Sequence, residues 1–292
     1  MHYLQKVPRL FRRHKVIQFL IRTGIISNPA KTTFNKNAVA FLDLSDPEPR
    51  NVFAKGVFEP DFFEIGKAML SENGVFFDLG ANSGLCTFGL VSSNPESRYH
   101  LFEANEELIR LMVKSASLYP KTDLSINHAC VTDNFGKTKF FLERMQTGQS
   151  HVATSVENGI YVPNTILDQY IDSQNLEFID LMKIDLEGYE LPALRGLKRS
   201  LINFLVKTIY IEIIPENQKR YGRQVNDPLL FLEDIGYHLV FCKKEDFPKS
   251  KSKPWLLKGA NGSIKVSSFR AAEFPRNHSS DVLAIAPEMM KR

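Results

Sequence analysis

Residues Val75 to Leu85 read VFFDLGANSGL, an apolar strand that ends in an acid, Asp78, and opens into a loop with glycines at Gly80 and Gly84. Such a junction brings bare backbone against a small ligand at the carboxyl end of a strand, because glycine tolerates unusual φ and close approach. A phosphate-binding loop carries no acid at this place. Asp78 therefore favours a cationic or zwitterionic ligand over a pyrophosphate.

The 292 residues suffice for one large α/β domain with extensions. A hydrophobic share of 43% with 22 phenylalanines supports a substantial core and argues against global disorder. The net charge of +4 is too modest to mark a nucleic-acid binder by itself. Cys86, Cys130 and Cys242 are far apart and lack metal-ligand spacing, so they read as reduced thiols in a cytoplasmic setting. No run approaches the ~20 apolar residues of a membrane span, and Val16 to Ile26 lacks a signal cleavage site.

Residues 1–60 read as a basic extension and linker. Lys6, Arg9, Arg12, Arg13, Lys15 and Arg22 interleave with apolar residues after Pro8, which suggests a helix ending near Gly24. Two readings stand: a helix docked on the main domain, or a foot for an anionic surface at a membrane periphery. Ser45 to Pro60, rich in Pro and charge, reads as an entry linker, and Pro60 to Ser71 as a helix.

Residues 61–292 then alternate strand and helix as a parallel sheet demands. Strands are expected at Val75–Leu79, Tyr99–Phe102, Leu124–Cys130, Lys137–Leu142, Ile179–Ile184, Thr208–Ile213, Leu239–Cys242 and Val282–Ala286. Helices are expected at 84–92, 106–118, 167–173, 191–201 and around 231–235, with loop over 143–164.

Glu103 ends the second strand, one βα unit after the glycine loop, where a carboxylate can accept both hydroxyls of a ribose. NAD is the rival ligand, but its G-x-G-x-x-G order is not met by Gly80, Asn82 and Gly84 behind Asp78. A sulfonium nucleoside with an amino-acid tail suits the loop better. In IDLMKIDLEGYE, alternation puts Lys183 and Asp185 on one face, with Asp185 at the carboxyl edge where ligands collect. Glu187 and Glu190 follow at a helix start, and Glu190 fits a helix-start role better than a catalytic one.

The set VFFDLGANSGLCTF, HLFEAN, TILDQYI, IDLMKIDLEGYELPALRGL and IYIEI resembles the FkbM family of S-adenosylmethionine-dependent methyltransferases, over roughly Val75 to Ile214. The resemblance implies a class I, Rossmann-like α/β fold: a mostly parallel, seven-stranded twisted sheet with an antiparallel last strand, flanked by helices. It implies that Asp78, Gly80, Asn82 and Gly84 frame the methionine part of S-adenosylmethionine, Glu103 holds the ribose, and Ala129 and Cys130 flank the adenine. It implies O-methylation of a saccharide or small metabolite. No metal is expected, because no acidic or histidine cluster has the spacing of a catalytic cation site. Asp185, Glu187 and Glu212 are the candidate bases at strand ends, with Glu212 or Asp185 favoured.

Substrate-side insertions are expected at about 143–165, 215–227 and 243–280. The second carries Tyr221 and Arg223, and the third carries Trp255 in a basic stretch. The indole reads either as a platform for a sugar face or as a packed surface residue. Two further readings compete with saccharide methylation. RNA ribose methylation calls for a second lysine beside Lys183, which has no evident candidate, and a cofactor-binding adaptor would lack turnover.

Overall fold

The computed structural model describes residues 10–143 and 146–290. Lys6, Pro8 and Arg9 of the expected N-terminal helix lie outside the described residues. The helix itself runs Leu10–Arg22, buries Ile17 completely, and gives way at Gly24, whose φ is +73°. No helix among the described residues is long and apolar enough to cross a membrane.

Ala30–Phe34 (β1) and Ala38–Leu42 (β2) pair as an antiparallel hairpin. The expected linker is instead a helix, Pro47–Lys55. Its start combines an Asp46 cap that accepts the Glu48 N–H with a proline in the first turn, and Gly56 closes it in the left-handed region. Pro and charge therefore mark a capped helix start here and not a linker.

The central elements follow as Val75–Leu79 (β3), Arg98–Glu103 (β4) and Asp123–His128 (β5). Cys130–Val131 (β6), Lys137–Phe141 (β7), His151–Val152 (β8) and Ile160–Thr165 (β9) build a separate four-stranded sheet. The expected third strand thus divides at Ala129, and the expected loop over 143–164 contains two short strands. Ile179–Ile184 (β10), Val206–Ile213 (β11) and His238–Phe241 (β12) come next. Trp255–Lys258 (β13), Ser263–Ser268 (β14) and Ser280–Ile285 (β15) complete the chain.

The large sheet has the order β13-β14-β12-β15-β11-β10-β3-β4-β5. Strands β5, β4, β3, β10 and β11 are mutually parallel, and β15 runs antiparallel between β11 and β12. These seven reproduce the expected class I, Rossmann-like methyltransferase topology. The sheet is larger than expected, because 243–280 adds the hairpin β13–β14 beyond β12.

Core packs on both faces. Phe76, Tyr99, Leu181 and Tyr210 lie in one cluster, and Phe77, Phe102, Met182 and Ile209 in the other. Adjacent residues such as Phe76 and Phe77 point to opposite faces, as strand pleating requires. With helices over each face, β3 and β10 are buried at every position, which explains why apolar residues fill most of both faces, with Asp78, Asp180 and Lys183 as the exceptions.

Candidate active site

The carboxyl ends of β3, β4, β10 and β11 open into a cavity of about 550 Å³, within the usual size of small-ligand pockets. Its floor is the glycine loop. Gly80 has φ +78°, and a Cβ there would stand 1.9 Å from the Asp185 carbonyl oxygen, so only glycine lets β3 and β10 close up at this edge. The Gly80 and Ala81 amides both donate to Phe102 O at 3.0 Å, which ties the loop to the neighbouring strand.

Glu103 is buried with a defined pose. Its Oε2 accepts the Asn82 N–H and its Oε1 the Asn105 N–H, both at 2.8 Å. Burial raises its carboxyl above the usual range against these hydrogen bonds. Asp78 is also buried; it accepts from Thr87 Oγ1 at 2.7 Å, and burial raises it too.

Across the cavity, Lys183 Nζ donates to Asp185 Oδ2 at 2.7 Å. Burial pushes Asp185 up, but the Lys183 charge together with the hydrogen bonds from Glu212 and Lys183 outweighs it and holds Asp185 below the usual carboxylate range. Glu212 shares a hydrogen bond with Asp185; that neighbouring charge first, and burial second, push Glu212 up to about 10. The pair therefore holds one proton at neutral pH, on Glu212. Glu187 sits at φ +53° and accepts from Asn217 Nδ2 at 2.6 Å. Burial and the Asp185 charge bring it to about 7.

Of the residues singled out from sequence, Asp78, Gly80, Asn82, Glu103, Ala129, Cys130, Asp185, Glu187 and Glu212 line this one cavity. Gly84 does not. It caps the helix Leu85–Val91 at φ +72° and faces Phe88 and Met112. Tyr221 and Arg223 are also outside it. Tyr221 Oη donates to Val152 O at 2.7 Å while its ring packs on Tyr189, and Arg223 Nη1 donates to Gly188 O at 2.9 Å, so both brace the 186–189 loop.

Trp255 lies on β13, and its Nε1 donates to Ser268 Oγ at 2.9 Å. The segment expected over the cofactor forms sheet at the far edge instead, which removes the indole from the cavity. His128, whose Nε2 lies 3.0 Å from Ala104 O, makes a structural contact.

Sequence reasoning missed several lining residues. Glu48 and Glu59 come from the supposed linker, Gln146–Ser150 from the supposed loop, and Cys86 and Tyr189 from helix starts. Asp46 joins two of these parts, since its Oδ2 accepts the Thr147 N–H at 2.8 Å and Thr147 Oγ1 at 2.6 Å. The Asp-Pro-Glu start of the 47–55 helix was a readable signal. Nothing local announces that the helix reaches the cavity.

The donor set suits a sulfonium nucleoside. Among the described residues Lys183 is the one cation lining the cavity, and it is engaged with Asp185, leaving none to hold a diphosphate.

The sequence profile described as the Methyltransferase FkbM domain matches residues 78–239. The Hexuronic acid methyltransferase AglP of Haloferax volcanii is 22% identical over 200 residues, 68% of this chain and 81% of that protein. Among solved structures, the precorrin-6y C5,15-methyltransferase of Geobacter metallireducens GS-15 aligns with a TM-score of 0.39 at 12% identity, covering 77% of this chain and 87% of that one. A SAM-dependent methyltransferase from Aquifex aeolicus aligns with a TM-score of 0.37 at 11% identity, covering 77% and 94%. Because the family profile spans more than half of the chain, from the acid of the glycine loop to the sixth strand of the fold, the chain belongs to the FkbM family of S-adenosylmethionine-dependent methyltransferases.

Proposed function

We propose that this enzyme methylates a hydroxyl of a saccharide or small metabolite, with S-adenosylmethionine held across the carboxyl ends of β3 and β4. The observation that carries this reading is the Glu103 carboxylate, fixed by two backbone amides beside the glycine loop and still lining the cavity. Glu103 would hold the ribose hydroxyls, Asp78, Gly80 and Asn82 the methionine part, and Ala129 and Cys130 the adenine. A saccharide acceptor is supported by the relative named for a hexuronic acid. When bound, the cofactor supplies an electrophilic methyl group on its sulfonium.

The remaining work is positioning and proton removal, because a neutral hydroxyl is a weak nucleophile. The electrostatics favour Glu187 as proton acceptor over the two acids preferred from sequence. Glu212 is already protonated at neutral pH, and Asp185 is held ionised by Lys183 and is a weak base. Glu187 titrates near neutrality, where a general base is most effective.

The test is incubation with S-adenosylmethionine and a panel of neutral methyl glycosides and uronic acids, read by mass spectrometry as a gain of one methyl. With the acceptor so found, kcat should rise with pH through about 7, as Glu187 loses its proton. Glu187→Gln should lower kcat by ~10²–10⁴-fold and flatten that limb. Retention of the limb in the variant would exclude Glu187 as the base, and methylation confined to a nitrogen or carbon atom would exclude the hydroxyl reading.

A further inference from the structure

Two cavity carboxylates have no assigned work. Glu48 lies in the first turn of the 47–55 helix, and Glu59 immediately precedes the helix Pro60–Met69. Both line the cavity, and both lie outside the family-matched residues 78–239.

The other acids there are engaged: Asp78 with Thr87, Glu103 with two amides, Asp185 with Lys183 and Glu212, and Glu187 with Asn217. Among the described residues the Glu48 carboxylate has no hydrogen-bond partner, and Glu59 has only the Cys86 thiol, at 3.6 Å.

The placement of Glu59 is costly. Its φ of +33° puts a non-glycine residue in the left-handed region directly before a proline, a conformation that persists only where its surroundings enforce it. Glu48 is held by the contact between Asp46 and Thr147. A methyl on Gly148 would stand 3.4 Å from Glu48 Oε2 and 3.3 Å from Asn82 Nδ2, so Glu48 faces the glycine loop across this narrow gap.

Charge balance adds a second argument. Glu48, Glu59, Asp78 and Asp185 all act on one another or on Lys183, which is the single cation among them. Glu48 stays exposed to solvent, and its partial desolvation, then Glu59, Asp185 and Asp46, raise it to about 7, with Lys183 pulling the other way. Glu59 is raised by burial, with Asp185 and Asp281 adding and Lys183 and Cys86 offsetting. One lysine thus faces several carboxylates, an arrangement that suits a small cationic ligand with hydrogens to donate.

Resting on the reading of this cavity as the cofactor site, we propose that Glu48 and Glu59 seat the ammonium group of the cofactor's amino-acid tail. The stretch before the family domain is then a working wall of the site. Gly80 and Asn82 keep the sulfur end of the tail, while the two glutamates hold its amino end.

The test uses the full chain and two nucleosides, S-adenosylhomocysteine and 5′-methylthioadenosine, which lacks the amino-acid tail. Calorimetry should show Glu48→Gln and Glu59→Gln each weakening S-adenosylhomocysteine at least about tenfold. Binding of methylthioadenosine should stay within about twofold. Unchanged S-adenosylhomocysteine affinity, or equal losses for both nucleosides, overturns the proposal. Should Glu59→Gln fail to fold, Glu48→Gln decides alone, since its carboxylate has no internal partner to lose. Failure of the unsubstituted chain to bind either nucleoside would instead bring down the cofactor reading itself.

Discussion

Strand β10 carries an acid at each end, and the two ends are treated in opposite ways. At the amino end, Asp180 is buried and fully matched. It accepts Lys207 Nζ at 2.8 Å and the Ser71 hydroxyl, and a Cβ on Gly74 would collide with its Oδ2 at 2.2 Å. At the carboxyl end, Asp185 shares one lysine with Asp78 and Glu59 and crowds Glu48, Glu187 and Glu212. A closed ion pair leaves nothing for a ligand to satisfy, whereas a surplus of carboxylate does. The same chemistry thus serves stability at one edge of the sheet and binding at the other.

That contrast can be broken by substitution. Among binding and stability effects the largest belongs to Glu103→Ala, which should weaken S-adenosylhomocysteine ~100-fold, about 2.7 kcal/mol, by loss of charge-assisted hydrogen bonds. Calorimetry that shows unchanged affinity would remove Glu103 from the ribose. Next comes Asp180→Asn, expected to lower unfolding free energy by about 2 kcal/mol in urea titrations while leaving nucleoside affinity intact. If affinity fell in step with stability, the two ends of β10 would not be independent.

The smallest effect is expected for Trp255→Phe, about 1 kcal/mol of stability from the lost bond to Ser268, with no change in KM for the acceptor. A raised KM with normal stability would return the indole to the substrate.

Much of the fold was legible because its signals are local. The strands β3 and β10 were found at their observed ends, Val75–Leu79 and Ile179–Ile184, since strands covered on both faces show as predominantly apolar sequence. The helix 191–201 was expected as one piece and divides into Glu190–Gly196 and Lys198–Ile202. Glu103 and Asp185 were identifiable as cavity residues because acids ending apolar strands stand out at the carboxyl edge.

Trp255 shows the limit. Its basic, Ser-rich surroundings look like a loop, yet β13 and β14 pair through backbone bonds that any sequence of suitable polarity can form.

The chain itself determined the family, the alternation of central strands and helices and the acid-glycine junction, because each depends on residue type at short spacing. Tertiary structure alone decided which acids share a proton, which stand unpartnered, and that residues 46–59 wall the cavity. Those outcomes depend on distances between segments remote in sequence. Burial and neighbouring charge act through space, and neither is written in the order of the residues.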